Sequence, residues 1–342
     1  MDGFLKMSRF AGMREDLVQA SGGNSSYKAT PEEMYIKASG VQLADVTKED
    51  GYGVVNPGII REAFGDMQKI DGLTEKDGKE ILRRALIRGQ RPSIETFLHA
   101  ISGRYTLHTH PVVVNVLTCR KGGMEILESL FPEALTVPYG TPGMELAKKY
   151  FKAYKGMKAD SWTSGVVFLR NHGLVVSSET VEEVIEKTEY VVERIEAYLG
   201  CDFKAYHKAT EIWGYFPEMV VWKVTDQRVT SFYNETGEAW EHAFCPDCVV
   251  FLGKKALILE NDGWDKTIKE FRMAHGEPVI VLYKDNVYIL ADSVRKATEI
   301  QSVLGFSAKV TELNKGQECF FLSDTEQNLL LDWDAEKYRR NK

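Results

Sequence analysis

The segment Tyr105-Thr106-Leu107-His108-Thr109-His110-Pro111 reads as an extended strand with both histidines on one face. Residues two apart in a strand have Cα atoms ~7 Å apart, a spacing at which two imidazoles can share a metal ion. Pro111 then ends the strand or starts a helix. Taken alone, the pair is either a metal clip or two ordinary strand histidines, so its meaning depends on the surrounding sequence.

Upstream, Pro92-Ser93 is expected to start a helix through about Ser102 that carries Glu95 and His99. Downstream, Pro111 to Cys119 reads as a buried helix. Val166 to Leu169 is an apolar strand that runs into Arg170-Asn171-His172-Gly173. Thr180 to Leu199 reads as a long helix opened by a capping box over Thr180 to Glu183. Nearer the N-terminus, a helix over Phe4 to Ala20 gives way to the glycine and hydroxyl turn Ser21-Gly22-Gly23-Asn24-Ser25-Ser26. A short strand, Met34 to Ala38, is closed by Ser39-Gly40, and Asp77 to Arg88 looks helical. Alternating strands and helices argue for a layered α/β or α+β domain.

Composition shifts over Gly200 to Glu218, an aromatic and irregular stretch, and a domain boundary is placed at residues 210/211. Beyond it, short strands are expected at Val249 to Phe251 and Ala256 to Leu259. Val279 to Tyr283 and Val287 to Leu290 flank Lys284-Asp285-Asn286 as a hairpin, followed by a helix from about Ser293 to Leu304. The tail from Asp324 to Lys342 reads as charged and partly helical.

The 342 residues are 44% hydrophobic, enough for a sizeable core. Net charge is −7 with a pI near 5.7 and no basic stripe, which argues against nucleic acid as a partner. No run approaches the ~18 apolar residues of a membrane span, and Met1 to Arg14 lacks the apolar core of a signal peptide. Five scattered cysteines fit a reducing cytoplasm better than a disulfide framework. Cys245-Pro246-Asp247-Cys248 stands without a second such pair and reads as a structural loop before a zinc knuckle or redox pair. No Gly-x-Gly-x-x-Gly follows a strand, so nicotinamide chemistry has no support.

His108, His110 and His172 could converge as three neutral imidazoles on Zn²⁺. That set leaves a coordination position open, as catalytic rather than structural sites do. Glu95 beside that position would act as general acid or base. Each residue also has a plain reading: His172 in a turn, Glu95 on a solvated helix face, and His99, four residues beyond Glu95, packing in the core or orienting the glutamate.

The joint order of these segments resembles the class II aldolase/adducin family over about Leu5 to Leu199. The resemblance is carried by Gly22-Gly23-Asn24-Ser25-Ser26, Ile36-Lys37-Ala38-Ser39-Gly40, Pro92-Ser93-Ile94-Glu95-Thr96-Phe97-Leu98-His99 and Leu107-His108-Thr109-His110-Pro111. Val137-Pro138-Tyr139-Gly140-Thr141-Pro142-Gly143 and Asn171-His172-Gly173-Leu174 extend it. The resemblance implies a three-layer α/β/α domain with a central, largely antiparallel sheet over residues 1–210, and a smaller C-terminal α+β domain over residues 211–342. It implies Zn²⁺ or another divalent metal on His108, His110 and His172, with Glu95 as the catalytic glutamate. It further implies a sugar-phosphate substrate held by Gly23, Asn24, Lys37, Ser39, Gly40 and Ser93, and cleaved reversibly through a metal-stabilised enediolate. Tyr139 matches a family tyrosine that protonates the aldehyde oxygen from a neighbouring subunit, which implies a homotetramer with sites at subunit interfaces.

Ile94 departs from the family pattern, which has a hydroxyl there, and removes one phosphate donor. The short separation of Glu95 from His108, Pro92-Ser93-Ile94-Glu95-Thr96 and the late Leu331-Asp332-Trp333-Asp334 are most similar to the aldolase part of bacterial rhamnulose-phosphate aldolase/alcohol dehydrogenases. Ile94 keeps open an epimerase, dehydratase or decarboxylase that uses the same metal site. A non-catalytic, adducin-like scaffold is the third reading, and the intact histidines argue against it.

Overall fold

The computed structural model of the chain describes residues 1–65, 70–155, 165–236 and 242–332. Trp333, Asp334 and the remaining charged tail lie outside them. The chain divides into two compact units, Met1–Phe203 and Lys204–Lys342.

The first unit is built on one eight-stranded sheet. Its strands are β1 (Asn24–Lys28), β2 (Met34–Lys37), β3 (Tyr52–Val55), β4 (Leu86–Gly89), β5 (Tyr105–Thr109), β6 (Leu135–Val137), β7 (Val166–Leu169) and β8 (Gly173–Ser178), in the order β4-β3-β2-β1-β5-β8-β7-β6. Every pairing is antiparallel except β6 with β7. On one face Ile36, Val167, Leu169 and Val175 join an apolar cluster with the helices Pro57–Phe64, Glu75–Ala85, Thr96–Ile101 and Met144–Lys155. The helices Asp2–Gly12 and Val181–Leu199 pack on the central strands β5 and β8 or their neighbours, and Val112–Thr118 packs on β8. Strand side chains alternate between faces, so a sheet buried on both sides yields the three-layer α/β/α architecture expected from the family resemblance.

Several elements differ from the sequence reading. The first helix stops at Gly12 rather than Ala20. A Cβ at Gly12 would lie 2.2 Å from the backbone nitrogen of Ala44, so the chain passes there at glycine distance. The fully buried Arg14, paired with Asp16 at 2.6 Å and with Glu189, then holds the turn that follows. The glycine and hydroxyl stretch is a turn only as far as Gly23, and Asn24–Lys28 is a central strand. The helix expected from Pro92 begins at Thr96, with Glu95 as its N-cap residue. Pro92 is instead bridged to Ala38, and the Ser93 hydroxyl accepts from the Glu95 N–H at 3.3 Å. The helix over Thr180 to Leu199 is as expected, with the Thr180 side chain accepting from the Glu183 N–H.

The second unit carries a four-stranded sheet of β9 (Val220–Lys223), β10 (Leu257–Leu259), β11 (Ile280–Tyr283) and β12 (Asn286–Ala291), in the order β10-β11-β12-β9. The β11–β12 hairpin turns over Lys284, whose φ is +49°. The division at Phe203/Lys204 falls within the Gly200 to Glu218 stretch, ahead of the boundary placed at 210/211, because Lys204–Trp213 is a regular helix packed on β9. The strand expected at Val249 to Phe251 is instead a helix, Pro246–Leu252, with Pro246 in its first turn. The helix expected to end near Leu304 runs on to Leu313. Among the described residues, no helix is long and apolar enough to cross a membrane.

Candidate metal centre

Three strands of the first sheet position the site. In register, Asn24 of β1 lies opposite His108 of β5, and His108 lies opposite Val175 of β8. Cross-strand partners share a face, so Asn24 and His108 both project toward the helix Thr96–Ile101. His110 follows β5 directly, and its N–H donates to the Leu17 carbonyl at 2.8 Å. His172 sits on the tight connection between β7 and β8, where Asn171 has φ +52°. Gly173 is required at the next position, because a Cβ there would stand 2.3 Å from the Thr109 carbonyl oxygen.

The three imidazoles converge through their Nε2 atoms. His108 Nε2 lies 3.1 Å from His110 Nε2 and 3.3 Å from His172 Nε2. With Zn–N bonds of ~2.0–2.1 Å, tetrahedral ligand atoms stand about 3.3–3.4 Å apart; the two distances from His108 are of that size, and all three ligand atoms lie within 4.8 Å of one another, close enough that they could hold one ion. The donor chemistry fits as well. His108 Nδ1 is 2.9 Å from the Leu174 carbonyl, which can only accept, so Nδ1 carries the proton and Nε2 presents its lone pair. Burial, reinforced by the neighbouring histidines, lowers the His110 imidazole to about 3. Burial also lowers His108, in opposition to Glu95. Both rings are therefore neutral at ordinary pH, as ligation requires.

Glu95 closes the fourth side. Its Oε1 is 3.0 Å from His172 Nε2 and its Oε2 is 3.5 Å from His108 Nε2. Burial pushes this carboxyl up, whereas protonated His108 and His172 and the Asn24 N–H pull it down, with the net shift downward. With the rings neutral, the Asn24 N–H remains as the contact that favours the carboxylate. The Asn24 amide donates to Glu95 Oε2 at 2.7 Å and faces the Ser93 hydroxyl at 3.5 Å. His99, for which the sequence offers either packing or orienting the glutamate, is completely buried, and it bonds to Asn24 and Ser26. The signal for this in the sequence is His99 four residues after Glu95, with Asn24 and Ser26 alternating on one strand.

The remaining predicted residues are placed as follows. Lys37 is buried, and its ammonium donates to the carbonyls of Ser21, Ala38 and Val41, tying the two glycine loops together. Burial lowers it to about 8 against the attraction of Glu95. Gly23 has φ +67°, and a Cβ there would meet the His108 carbonyl oxygen at 2.7 Å. Ser39 and Gly40 are exposed on the bend after β2, where Gly40 has φ +82°. Ile94 is partly buried against the apolar cluster. Tyr139 is half-exposed, and the contact found for it is its backbone carbonyl accepting from Lys149.

Residues 4–199 match the family model of the class II aldolase and adducin N-terminal domain. The chain belongs to that family. The class II aldolase match covers the whole sheet and all of the residues described above. An uncharacterized oxidoreductase of Bacillus subtilis (strain 168), YuxG, is 29% identical over 209 residues, 56% of this chain and 28% of that protein. The chain thus spans little more than a quarter of that relative's length. Among solved structures, the N-terminal class II aldolase domain of a conserved protein from Thermoplasma acidophilum aligns with a TM-score of 0.50 at 25% identity, covering 57% of this chain and 92% of that one. An L-fuculose-1-phosphate aldolase from Thermus thermophilus aligns at 18% identity with a TM-score of 0.38, over 58% of this chain and 94% of that one. The family match and the Thermoplasma alignment support the class II aldolase fold of the first unit by sequence and by architecture.

Proposed function

We propose that the first unit is a metal-dependent lyase that reversibly cleaves the carbon–carbon bond of a ketose phosphate. The observation that carries this reading is the convergence of three Nε2 atoms with a buried carboxylate on their open side. His108, His110 and His172 would hold the ion, zinc or another divalent metal. When bound, the ion would act as a Lewis acid, taking up negative charge that develops on the substrate carbonyl oxygen.

The protein's own groups divide the remaining work. Glu95 would hold and return the proton at the carbon that becomes the nucleophile in the synthetic direction. The Asn24 N–H favours its ionised form, the form that can take up a proton, and its burial excludes competing water. The backbone around Gly23 and the Ser39-Gly40 bend would meet the substrate phosphate with N–H and hydroxyl donors, together with Ser93. Asn24 would assist by donating its amide, and Lys37 would supply the countercharge behind both loops. In the free protein those two side chains are committed to Glu95 and to loop carbonyls. Tyr139 would protonate the aldehyde oxygen in a neighbouring subunit's site. Its half-exposed position suits a residue that acts outside its own chain, and a homotetramer would supply that arrangement.

Ile94 favours keeping a second reading. With an apolar side chain where a phosphate donor would stand, an epimerase, dehydratase or decarboxylase could use the same acid–base and metal groups on a different anion. Incubating zinc-loaded protein with dihydroxyacetone phosphate and a panel of aldehydes separates the two. New ketose phosphate supports the aldolase, whereas no product with any aldehyde despite bound zinc removes it.

A further inference from the structure

A line of hydrogen bonds runs behind Glu95, away from the three imidazoles. Its members are Ser26 and Asn24 on β1, and His99 on the helix that Glu95 caps. His99 Nδ1 lies 2.7 Å from the Ser26 hydroxyl, and its Nε2 contacts the Asn24 side-chain oxygen. The Asn24 amide nitrogen lies 2.7 Å from Glu95 Oε2. Ser26 and His99 are wholly buried and Asn24 is 2% exposed, so water cannot substitute for a missing partner.

The chemistry of each group fixes the direction of the whole line. An ionised carboxylate only accepts, so the amide must turn N–H toward Glu95. Its carbonyl oxygen then faces His99 and needs a donor. A neutral imidazole that donates from Nε2 has a lone pair on Nδ1, and Ser26 O–H supplies the proton to it. Burial lowers His99 to about 3, which keeps the ring neutral and makes the choice of tautomer a real one. The helix end carrying His99 is itself held by the Lys28 ammonium, which donates to the His99, Ser102 and Gly103 carbonyls.

We propose that His99 is a positioning residue for Glu95: by donating from Nε2 it locks the Asn24 amide in the one orientation that presents N–H, rather than C=O, to the carboxylate. Without that donor the buried amide oxygen has no partner, and the amide shifts to recover one at the expense of its N–H bond to the carboxylate. Glu95 then loses the contact that holds it beside His108 and His172. This inference rests on the acid–base role proposed for Glu95.

Three variants of the full chain test it: His99→Gln, His99→Phe and Ser26→Ala. Glutamine keeps an N–H donor near the Nε2 position but loses the ring's shape, whereas phenylalanine keeps the shape and loses the donor. A packing role ranks phenylalanine above glutamine, and the proposed role ranks them the other way. With one zinc bound per chain, deuterium exchange from solvent into dihydroxyacetone phosphate is expected to stay within about threefold of wild type for His99→Gln. For His99→Phe, kcat is expected to fall roughly ten- to a hundredfold with KM unchanged, the scale of one lost hydrogen bond to a charged group.

A second readout is independent of turnover. With ¹⁵N-asparagine labelling, the Asn24 side-chain amide, assigned by its loss in Asn24→Asp, is expected to be protected from solvent exchange in wild type and His99→Gln and unprotected in His99→Phe. Should wild type show no exchange into the ketose, the Glu95 role fails and the amide signal alone judges the lock. Should His99→Phe fail to fold, Ser26→Ala, which frees the ring to take the other tautomer, is expected to lose protection in the same direction. Equal protection of Asn24 in every folded variant, or a phenylalanine variant that outperforms the glutamine one, overturns the proposal.

Discussion

Leu174 accepts a hydrogen bond at 2.9 Å from the Nδ1–H of His108, and this contact determines which nitrogen of His108 faces the other two histidines. A backbone carbonyl thus prepares an inner side-chain atom for ligation, and the β5–β8 pairing that provides it is part of the sheet itself. The candidate metal site is a consequence of strand register, which is why small backbone changes near it are expected to matter.

Gly23→Ala tests that dependence. Its φ of +67° and the 2.7 Å approach to the His108 carbonyl leave no room for a methyl group. Left-handed strain alone costs about 1–3 kcal/mol, and the displaced backbone carries His108. A chemical-denaturation midpoint well below wild type, together with weakened zinc retention, is the expected result.

His110→Ala removes one of the three proposed ligands while leaving a partly exposed position that tolerates a small side chain. The variant is expected to fold but to lose its zinc on desalting, as read by metal analysis against the wild-type stoichiometry.

The buried histidines make the metal-free protein sensitive to acid. His99 and His110 are both lowered to about 3 from an ordinary 6.5, and His108 is lowered too. Below about 6.5 the unfolded chain takes up protons that the folded chain refuses. Their contribution to stability is therefore complete above 6.5 and declines as pH falls toward 3. Urea midpoints measured on metal-free protein from pH 7.5 to 4.5 are expected to fall steadily through this window.

Arg14→Met addresses the turn that supports His110. Arg14 is fully buried, and the change would leave the nearly buried Asp16 carboxylate without its 2.6 Å ion pair. Breaking a buried pair from one side costs about 3–5 kcal/mol. The Asp16 and Leu17 carbonyls also accept from the Val112 and His110 N–H groups. Loss of zinc is thus expected to accompany the loss of stability in a thermal melt.

The parts of this site that sequence made legible are those with a strong local pattern. His108-Thr109-His110 declared its spacing, His172 followed an apolar strand, and the Thr180 cap opened a long amphipathic helix. The parts that sequence concealed depend on tertiary pairing. Asn24-Ser25-Ser26 has the composition of a turn and becomes a strand because β2 and β5 flank it. Glu95 has the local signals of a helix interior, yet the Ala38–Pro92 bridge delays the helix and leaves Glu95 at its cap. Val249 to Phe251 carries strand-forming residues, but Pro246 opens a helix there.

The proposed chemistry depends most on Glu95 as a proton carrier beside the three histidines. Its direct test is solvent deuterium exchange into dihydroxyacetone phosphate by zinc-loaded wild type and Glu95→Gln, with zinc measured in both. Exchange in wild type, and its loss by orders of magnitude in a Glu95→Gln protein that keeps its zinc, is the predicted result. Undiminished exchange in the zinc-bound Glu95→Gln protein, or none in zinc-bound wild type, would contradict that role.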